Sequence, residues 1–134
     1  MAVSSAVVAG TNATATAVNN IRTDAVSRRR IYSFIVVGAL ATGDEQGARY
    51  IVENTETVVG IKHYIKSGTS CTFRIQKDTT DIDASIAAGT SVAEETSITS
   101  SGLTENQILT LDITGVSGSP DTLTVQVITT YTTE

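Results

Sequence analysis

Residues 107–133 read QILTLDITGVSGSPDTLTVQVITTYTT, and this stretch decides the fold class. Apolar and polar side chains alternate on both sides of Gly118-Ser119-Pro120-Asp121. A period of two predicts strands that bury one face, and the Gly-Ser-Pro-Asp sequence predicts a turn between them. The side chains predicted to point inward are Leu109, Leu111, Ile113, Leu123, Val125 and Val127.

The same alternation continues towards the N-terminus. Residues 69–78, TSCTFRIQKD, predict a strand, and so do residues 56–67, ETVVGIKHYIKS. The Ser67-Gly68 pair predicts a turn, so these two strands are expected to form a hairpin. The side chains predicted to point inward are Val59, Ile61, His63, Ile65, Cys71, Phe73 and Ile75.

The remaining strands are less regular. The continuous apolar run at residues 31–40, IYSFIVVGAL, predicts a strand buried on both faces. Residues 48–53 predict a short strand. Residues 79–102 predict two more, near Ile82–Ile86 and Glu94–Thr99, or a helical turn around Asp83–Ala88. About eight strands separated by frequent turns predict an all-β fold, a jelly-roll-like antiparallel β-sandwich over residues 31–134, although an immunoglobulin-like strand order fits the same pattern.

The composition limits the classes of function. The formal net charge is −5 and only 17% of the residues are charged. An acidic chain lacks the basic face that nucleic-acid binding or docking on an anionic membrane requires, so neither partner is expected. Cys71 is the single cysteine, which excludes an intrachain disulfide. The first residues lack a basic segment followed by a dense apolar one, so no signal peptide is predicted.

Residues 1–30 differ from the remainder and are predicted to form an N-terminal arm. Small residues dominate them, and helical spacing of apolar side chains predicts a short helix over roughly residues 14–27. Arg28, Arg29 and Arg30 follow, where cations suit a helix C-terminus or contact an acidic partner surface.

Few residues could carry chemistry. His63 lies on the apolar side of its strand and is expected to be a satisfied, partly buried histidine. Cys71 is expected to be a small buried side chain, because a reactive thiolate needs an accessible, electropositive site. Asp78, Asp81 and Asp83 are expected to be solvated loop residues, because they lack the spacing of a calcium loop. No nucleotide motif is present, so no cofactor, no metal and no enzymatic activity are expected.

Three stretches carry a family resemblance. Residues 10–34, GTNATATAVNNIRTDAVSRRRIYSF, place a small-residue leader and an Asn-x-Ile-Arg-x-Asp segment before the first strand. Residues 37–80 contain Gly-x-Leu-x-x-Gly, and residues 103–127 contain Leu-Thr-Leu-Asp-Ile. In this arrangement the chain resembles small virion proteins of tailed bacteriophages, of the head decoration (cement) or fibre β-sandwich type.

The resemblance implies a non-enzymatic structural protein made in the host cytoplasm and carried on the virion, on the capsid surface rather than the tail. Its expected function is capsid decoration, in which it binds the major capsid protein or another virion protein and stabilises the shell, commonly as a homotrimer. The alternative is a tail-fibre or baseplate adhesion module that binds a host receptor. The segment expected to tether the module comprises Asn19, Asn20, Ile21, Arg22, Asp24, Arg28, Arg29 and Arg30.

Overall fold

The computed structural model describes residues 26–133. The chain divides into two units, of which residues 29–131 form the larger, compact one. The packing described below is that of the larger unit. The described residues contain no helix, and therefore none that is long and apolar enough to cross a membrane.

The described residues form nine strands: β1 (Val26–Ala39), β2 (Tyr50–Ile51), β3 (Glu56–Ser67), β4 (Ser70–Lys77), β5 (Thr80–Ala88), β6 (Ala93–Glu95), β7 (Gly102–Leu103), β8 (Ile108–Ser117) and β9 (Asp121–Thr133).

The strands form two antiparallel sheets around a common core. The first sheet has five strands in the order β1-β9-β3-β6, and β7 also pairs with β3. The second sheet has four strands in the order β2-β8-β4-β5. The prediction of an all-β antiparallel architecture is confirmed, and the two sheets over one core are consistent with a sandwich.

The core is built from alternate residues of both sheets. Phe34 of β1, Phe73 of β4, Leu111 of β8 and Val125 of β9 are all fully buried. Burying an apolar side chain of this size contributes roughly 1.5–3 kcal/mol relative to leaving it exposed. The inward-facing residues predicted for β4, β8 and β9 are confirmed, since each is at most 2% exposed.

The prediction that residues 31–40 are buried on both faces is wrong. β1 is an edge strand of the first sheet, and only its inner side packs on the core, with Tyr32 and Phe34 buried. Ile31, Ile35 and Val37 point to the other side and are 48%, 52% and 80% exposed. A continuous apolar run therefore marks a strand with one buried face and one exposed aliphatic face.

The predicted inward position of Val59 is also wrong. The pairing of β3 with β9 shifts register between Val58 and Gly60, which inserts one extra residue into β3. A bulge of this kind reverses the alternation on one side of it. Val58 is consequently buried and Val59 is 44% exposed, whereas Ile61, His63 and Ile65 point inward as predicted.

The predicted hairpin between residues 56–67 and 69–78 is not formed. β3 lies in the first sheet and β4 in the second, where β4 pairs with β5 and β8. Gly68 takes a positive φ of 101° at the crossing, and a Cβ atom there would overlap the backbone of Pro120. The turn residues at Gly68 and Pro120 thus belong to two neighbouring connections between the sheets.

Two further predictions concern local structure. The helix predicted over residues 14–27 lies outside the described residues except for Val26 and Ser27, which belong to β1, so its predicted C-terminal end is wrong. The helical turn considered at Asp83–Ala88 is also wrong, since these residues are part of β5. The short strand expected near Glu94–Thr99 is found as β6, Ala93–Glu95.

Candidate functional site

The residues predicted to bind a partner fall into three groups. Arg28 and Arg29 are exposed on β1, and Arg30 turns towards the core. The three consecutive arginines therefore belong to β1 and not to a helix end. The predicted residues that lie outside the described range are Asn19, Asn20, Ile21, Arg22 and Asp24.

Arg30 is held within the body of the protein. Its Nη1 lies 2.9 Å from Oε2 of Glu53, and its Nε lies 3.2 Å from Oε2 of Glu56. The guanidinium carbon also lies 5.2 Å from the ring centre of Tyr131, which is a cation–π distance. Burial opposes the charge of Arg30, but the carboxylates of Glu53 and Glu56 outweigh it and raise the pKa of Arg30. These contacts leave Arg29, and not Arg30, available to a partner.

Glu56 is the centre of a buried polar cluster. The residue is 2% exposed, and its carboxylate accepts hydrogen bonds from the Tyr32 hydroxyl at 3.1 and 3.2 Å and from the Thr129 hydroxyl at 2.7 Å. Burial, and next the charge of Glu56, raise the pKa of Tyr32 to about 12. A buried carboxylate with this many partners is a structural group that joins β1, β3 and β9. This Glu56 cluster consists of Arg30, Tyr32, Glu56 and Thr129.

The outer side of β1 carries a row of largely exposed side chains. Arg29, Ile31, Ser33, Ile35 and Val37 alternate with the core residues, and we call them the β1 outer row. Single exposed aliphatic residues are ordinary, whereas several in one row of an edge strand make this side of β1 a candidate interaction surface. The row contains one cation and no acidic residue.

The free hydrogen-bonding edge of β1 is partly covered. The Tyr50 hydroxyl donates to the carbonyl oxygen of Ser33. Gly47 lies so close that a Cβ atom there would be 3.2 Å from the carbonyl oxygen of Ile35. An open strand edge can pair with a further strand. The contacts of Tyr50 and Gly47 with the carbonyl groups of β1 obstruct such pairing. The accessible part of β1 is therefore its outer side.

A polar cleft lies on the second sheet. It has a volume of about 520 Å³ and is lined by Asp44, Glu45, Arg49, Arg74, Gln76, Asp78, Thr79, Ile108, Thr110 and Asp112.

Asp112 fixes one wall of this cleft. Its side chain is 3% exposed, and its two oxygens accept hydrogen bonds at 2.8 Å from the Glu45 backbone N–H and from Nε of Arg74. The hydrogen bond to Asp112 is the main cause that raises the pKa of Arg74. Arg74 and Asp112, on this wall of the cleft, therefore already have partners.

The acidic residues after β4 also have structural roles. Asp78 takes a positive φ of 48°, and its Oδ1 accepts a hydrogen bond from the Ile108 backbone N–H at 3.0 Å. Oδ1 of Asp81 accepts a hydrogen bond from Gln76 at 2.9 Å. Among residues 26–133, no three His, Cys, Asp or Glu side chains are grouped so that they could hold a metal ion.

His63 and Cys71 are both buried, as predicted. His63 is 6% exposed, its ring packs edge-on against Phe73 at 5.6 Å, and burial lowers its pKa. Its Nδ1 has no hydrogen-bond partner among the described residues, so the expected satisfied histidine is found buried but not fully hydrogen-bonded. Burial raises the pKa of Cys71 to about 11, which keeps the thiol protonated and poorly nucleophilic.

Two features were not predicted from the sequence, namely the β1 outer row and the pair formed by Arg74 and Asp112. The signal for the first was present, since residues 31–37 place aliphatic side chains at both odd and even positions. The signal for the second was absent, because Arg74 and Asp112 are far apart in sequence and meet only through the pairing of β4 with β8.

Comparison of the chain with models of known protein families and with curated proteins found no match.

Proposed function

We propose that this chain is a structural protein of a tailed bacteriophage that decorates the capsid and stabilises the shell. The proposal assigns the described β-domain to the particle surface and the segment before β1 to attachment. In this assignment the protein acts by binding, with no catalytic step.

The observation that carries the proposal is the strand order. The chain passes between the sheets from β1 to β2, β2 to β3, β3 to β4, β5 to β6, β7 to β8 and β8 to β9, and this gives the orders β1-β9-β3-β6 and β2-β8-β4-β5. We infer from these orders a jelly roll, an architecture that recurs in viral capsid and lectin domains. Because one fold can carry many functions, strand order alone does not identify the function, and the exposed surface has to be considered as well.

The β1 outer row supports a binding function. β1 begins at Val26, directly after the segment to which attachment is assigned, and it exposes Ile31, Ile35 and Val37. A surface of this kind gains stability when a partner removes it from water, at about 25 cal/mol per Å² of apolar area. Exposed Arg28 and Arg29 would add attraction to an acidic partner surface.

The tether can be tested on the full chain. Purified protein is added to phage heads that lack it, and co-sedimentation measures binding. We expect a double variant, Ile21→Asp with Arg22→Glu, to lose at least tenfold in affinity, whereas a control, Val116→Asp on β8, binds as the wild type does. Equal binding by all three proteins would overturn the assignment of this segment to attachment.

The polar cleft favours a second candidate, the adhesion module. Arg74 is fixed at Nε by Asp112, and a cleft of about 520 Å³ is large enough for a sugar unit. Glycan-array binding that Arg74→Ala abolishes would favour this function. An array on which the wild-type protein binds nothing would count against it.

A further inference from the structure

The floor of the polar cleft holds a buried hydroxyl group. Thr110 of β8 is 8% exposed and lines the cleft on the same side of the strand as Ile108 and Asp112. None of the side-chain hydrogen bonds found among the described residues of the cleft involves the Thr110 hydroxyl. Buried polar groups are as a rule hydrogen-bonded, so this hydroxyl marks a place where a ligand can bind.

The groups around Thr110 include both donors and acceptors of hydrogen bonds. Within the described part of the chain, Arg74 is held through Nε, which leaves its two terminal amino groups as donors. Asp78 is engaged through Oδ1 and Gln76 through Nε2, which leaves Oδ2 and Oε1 as acceptors. A hydroxyl group donates one hydrogen bond and accepts two, so a ligand with several hydroxyl groups can use these donors and acceptors together.

The charged groups of the cleft offset one another. Nε of Arg74 lies 2.8 Å from Oδ2 of Asp112, and Nη2 of Arg49 lies 3.4 Å from Oε1 of Glu45. The other acidic residues of the lining are Asp44 and Asp78. An anionic ligand would therefore face four carboxylates against two guanidinium groups, and a cationic ligand would compete with the arginines for their partners. An uncharged ligand avoids both costs.

A smaller apolar pocket adjoins the cleft. It has a volume of about 300 Å³, is lined by Arg49, Tyr50, Ile51 and Ile108, and shares Arg49 and Ile108 with the cleft. Ile51 and Ile108 are register partners on β2 and β8, and Ile51 is 62% exposed. Aliphatic surface beside polar groups suits a sugar, because a sugar ring has apolar C–H faces and polar hydroxyl edges.

We propose that the cleft binds one unit of an uncharged oligosaccharide and that the adjoining pocket binds the next unit. Thr110, Arg74 and Asp78 contact hydroxyl groups of the first unit, and Ile51 with Ile108 contacts a C–H face of the second. The carboxylates of the lining select against sialylated, sulfated and phosphorylated sugars. The inference rests on the adhesion function proposed for this cleft and is independent of capsid decoration.

The alternative ligand is an acidic sugar held by the two arginines of the cleft. It fits less well, because Arg74 is already bound to Asp112, whose side chain is 3% exposed. Drawing Arg74 away would leave a buried carboxylate without its partner, which is costly. Hydrogen bonds from an uncharged sugar to the Thr110 hydroxyl need no such rearrangement.

The first experiment is a glycan array probed with the full chain, on which each uncharged oligosaccharide is accompanied by its sialylated or sulfated counterpart. We expect binding to uncharged oligosaccharides and at least tenfold weaker binding to the charged counterparts. Stronger binding to the charged forms would overturn the inference and leave the adhesion function standing. An array on which the protein binds nothing would overturn both.

The second experiment is isothermal titration of variants with the uncharged oligosaccharide that binds most strongly. Thr110→Val keeps the side-chain size and removes the hydroxyl, so we expect about a tenfold loss of affinity. Ile51→Ala removes apolar contact from the second position, and an approximately fivefold loss is expected. Val116→Ala is the matched control, because Val116 is an exposed aliphatic residue of β8 that does not line either pocket.

Circular dichroism checks that each variant is folded. Wild-type affinity in folded Thr110→Val would overturn the assignment of the cleft as the sugar site. Wild-type affinity in Ile51→Ala would overturn the second sugar position, and a loss in Val116→Ala equal to that in Ile51→Ala would overturn it as well.

Discussion

The outer face of the second sheet and the outer side of β1 in the first sheet are both accessible to solvent. The charged side chains of the second sheet are paired with one another, whereas the aliphatic side chains of β1 are exposed. On the second sheet, Asp112, Arg74 and Asp81 form ion pairs and hydrogen bonds with one another and with nearby backbone. On β1, Ile35 and Val37 are exposed on the outer side. Polarity alone therefore does not mark a functional surface, because charged side chains can satisfy one another within the protein while aliphatic side chains stay exposed to solvent.

If the charged groups serve the fold, removing them should lower stability, and the largest effect is expected at the Glu56 cluster. Glu56→Ala removes the common acceptor of Tyr32 and Thr129 and the buried ion-pair partner of Arg30, which should lower the free energy of unfolding by about 3–5 kcal/mol. Urea unfolding measures the change. Glu53→Ala is the control, because its exposed pair with Arg30 contributes about 1 kcal/mol or less. Equal losses for both variants would contradict the structural role of Glu56.

The second sheet offers a smaller effect of the same kind. Asp112→Ala removes the acceptor for the Glu45 N–H and the Arg74 Nε, with an expected loss of about 1.5–3 kcal/mol. Asp81→Ala should cost about 1 kcal/mol or less, since its pair with Arg74 is longer, at 3.9 Å, and more exposed. A reversed order of the two variants would show that the cleft is not held by Asp112.

The pH dependence of stability tests whether His63 is buried and neutral in the folded protein. The pKa of His63 is lowered from its ordinary value of 6.5 by burial, so the unfolded chain binds the proton first as the pH falls. This contribution to stability is present above pH 6.5 and is lost as the pH falls through the lowered pKa. We expect His63→Leu to weaken the dependence of unfolding free energy on pH between about 7 and 5. An unchanged slope would contradict the buried, neutral state of His63.

The smallest effect on stability is expected on β1. Val37→Asp should change the free energy of unfolding by no more than about 0.5 kcal/mol, because the side chain is 80% exposed. The same change is expected to weaken binding of a partner to the β1 outer row. A large loss of stability in the monomer would mean that Val37 serves the fold, and the contrast between the two sides would disappear.

The alternation of apolar and polar residues in the sequence correctly predicted the inward-facing residues of β4, β8 and β9. β4 buries every second residue as expected, and every predicted inward residue of β8 and β9 is buried. The additional burial of Thr110, Asp112, Ile128 and Thr129 was not predicted. The bulge at Val58 and Gly60 could not be read from the pattern, since it depends on pairing with β9. The crossing at Gly68 was misread as a hairpin because turn chemistry does not report which sheet the next strand joins.

The candidate site was less predictable than the fold. Arg28, Arg29 and Arg30 formed one predicted group, but only tertiary contacts separate Arg30, paired with Glu53 and Glu56, from its exposed neighbours. The edge position of β1 likewise follows from strand order, which no local pattern encodes. The attachment role of residues 19–24 stays a prediction.

Immunogold electron microscopy of intact phage particles, with antibody raised against the purified chain, tests the proposed function most directly. Capsid decoration predicts label distributed over the head. Label confined to the tail tip would contradict decoration and favour adhesion, and particles without label would contradict a place on the virion surface.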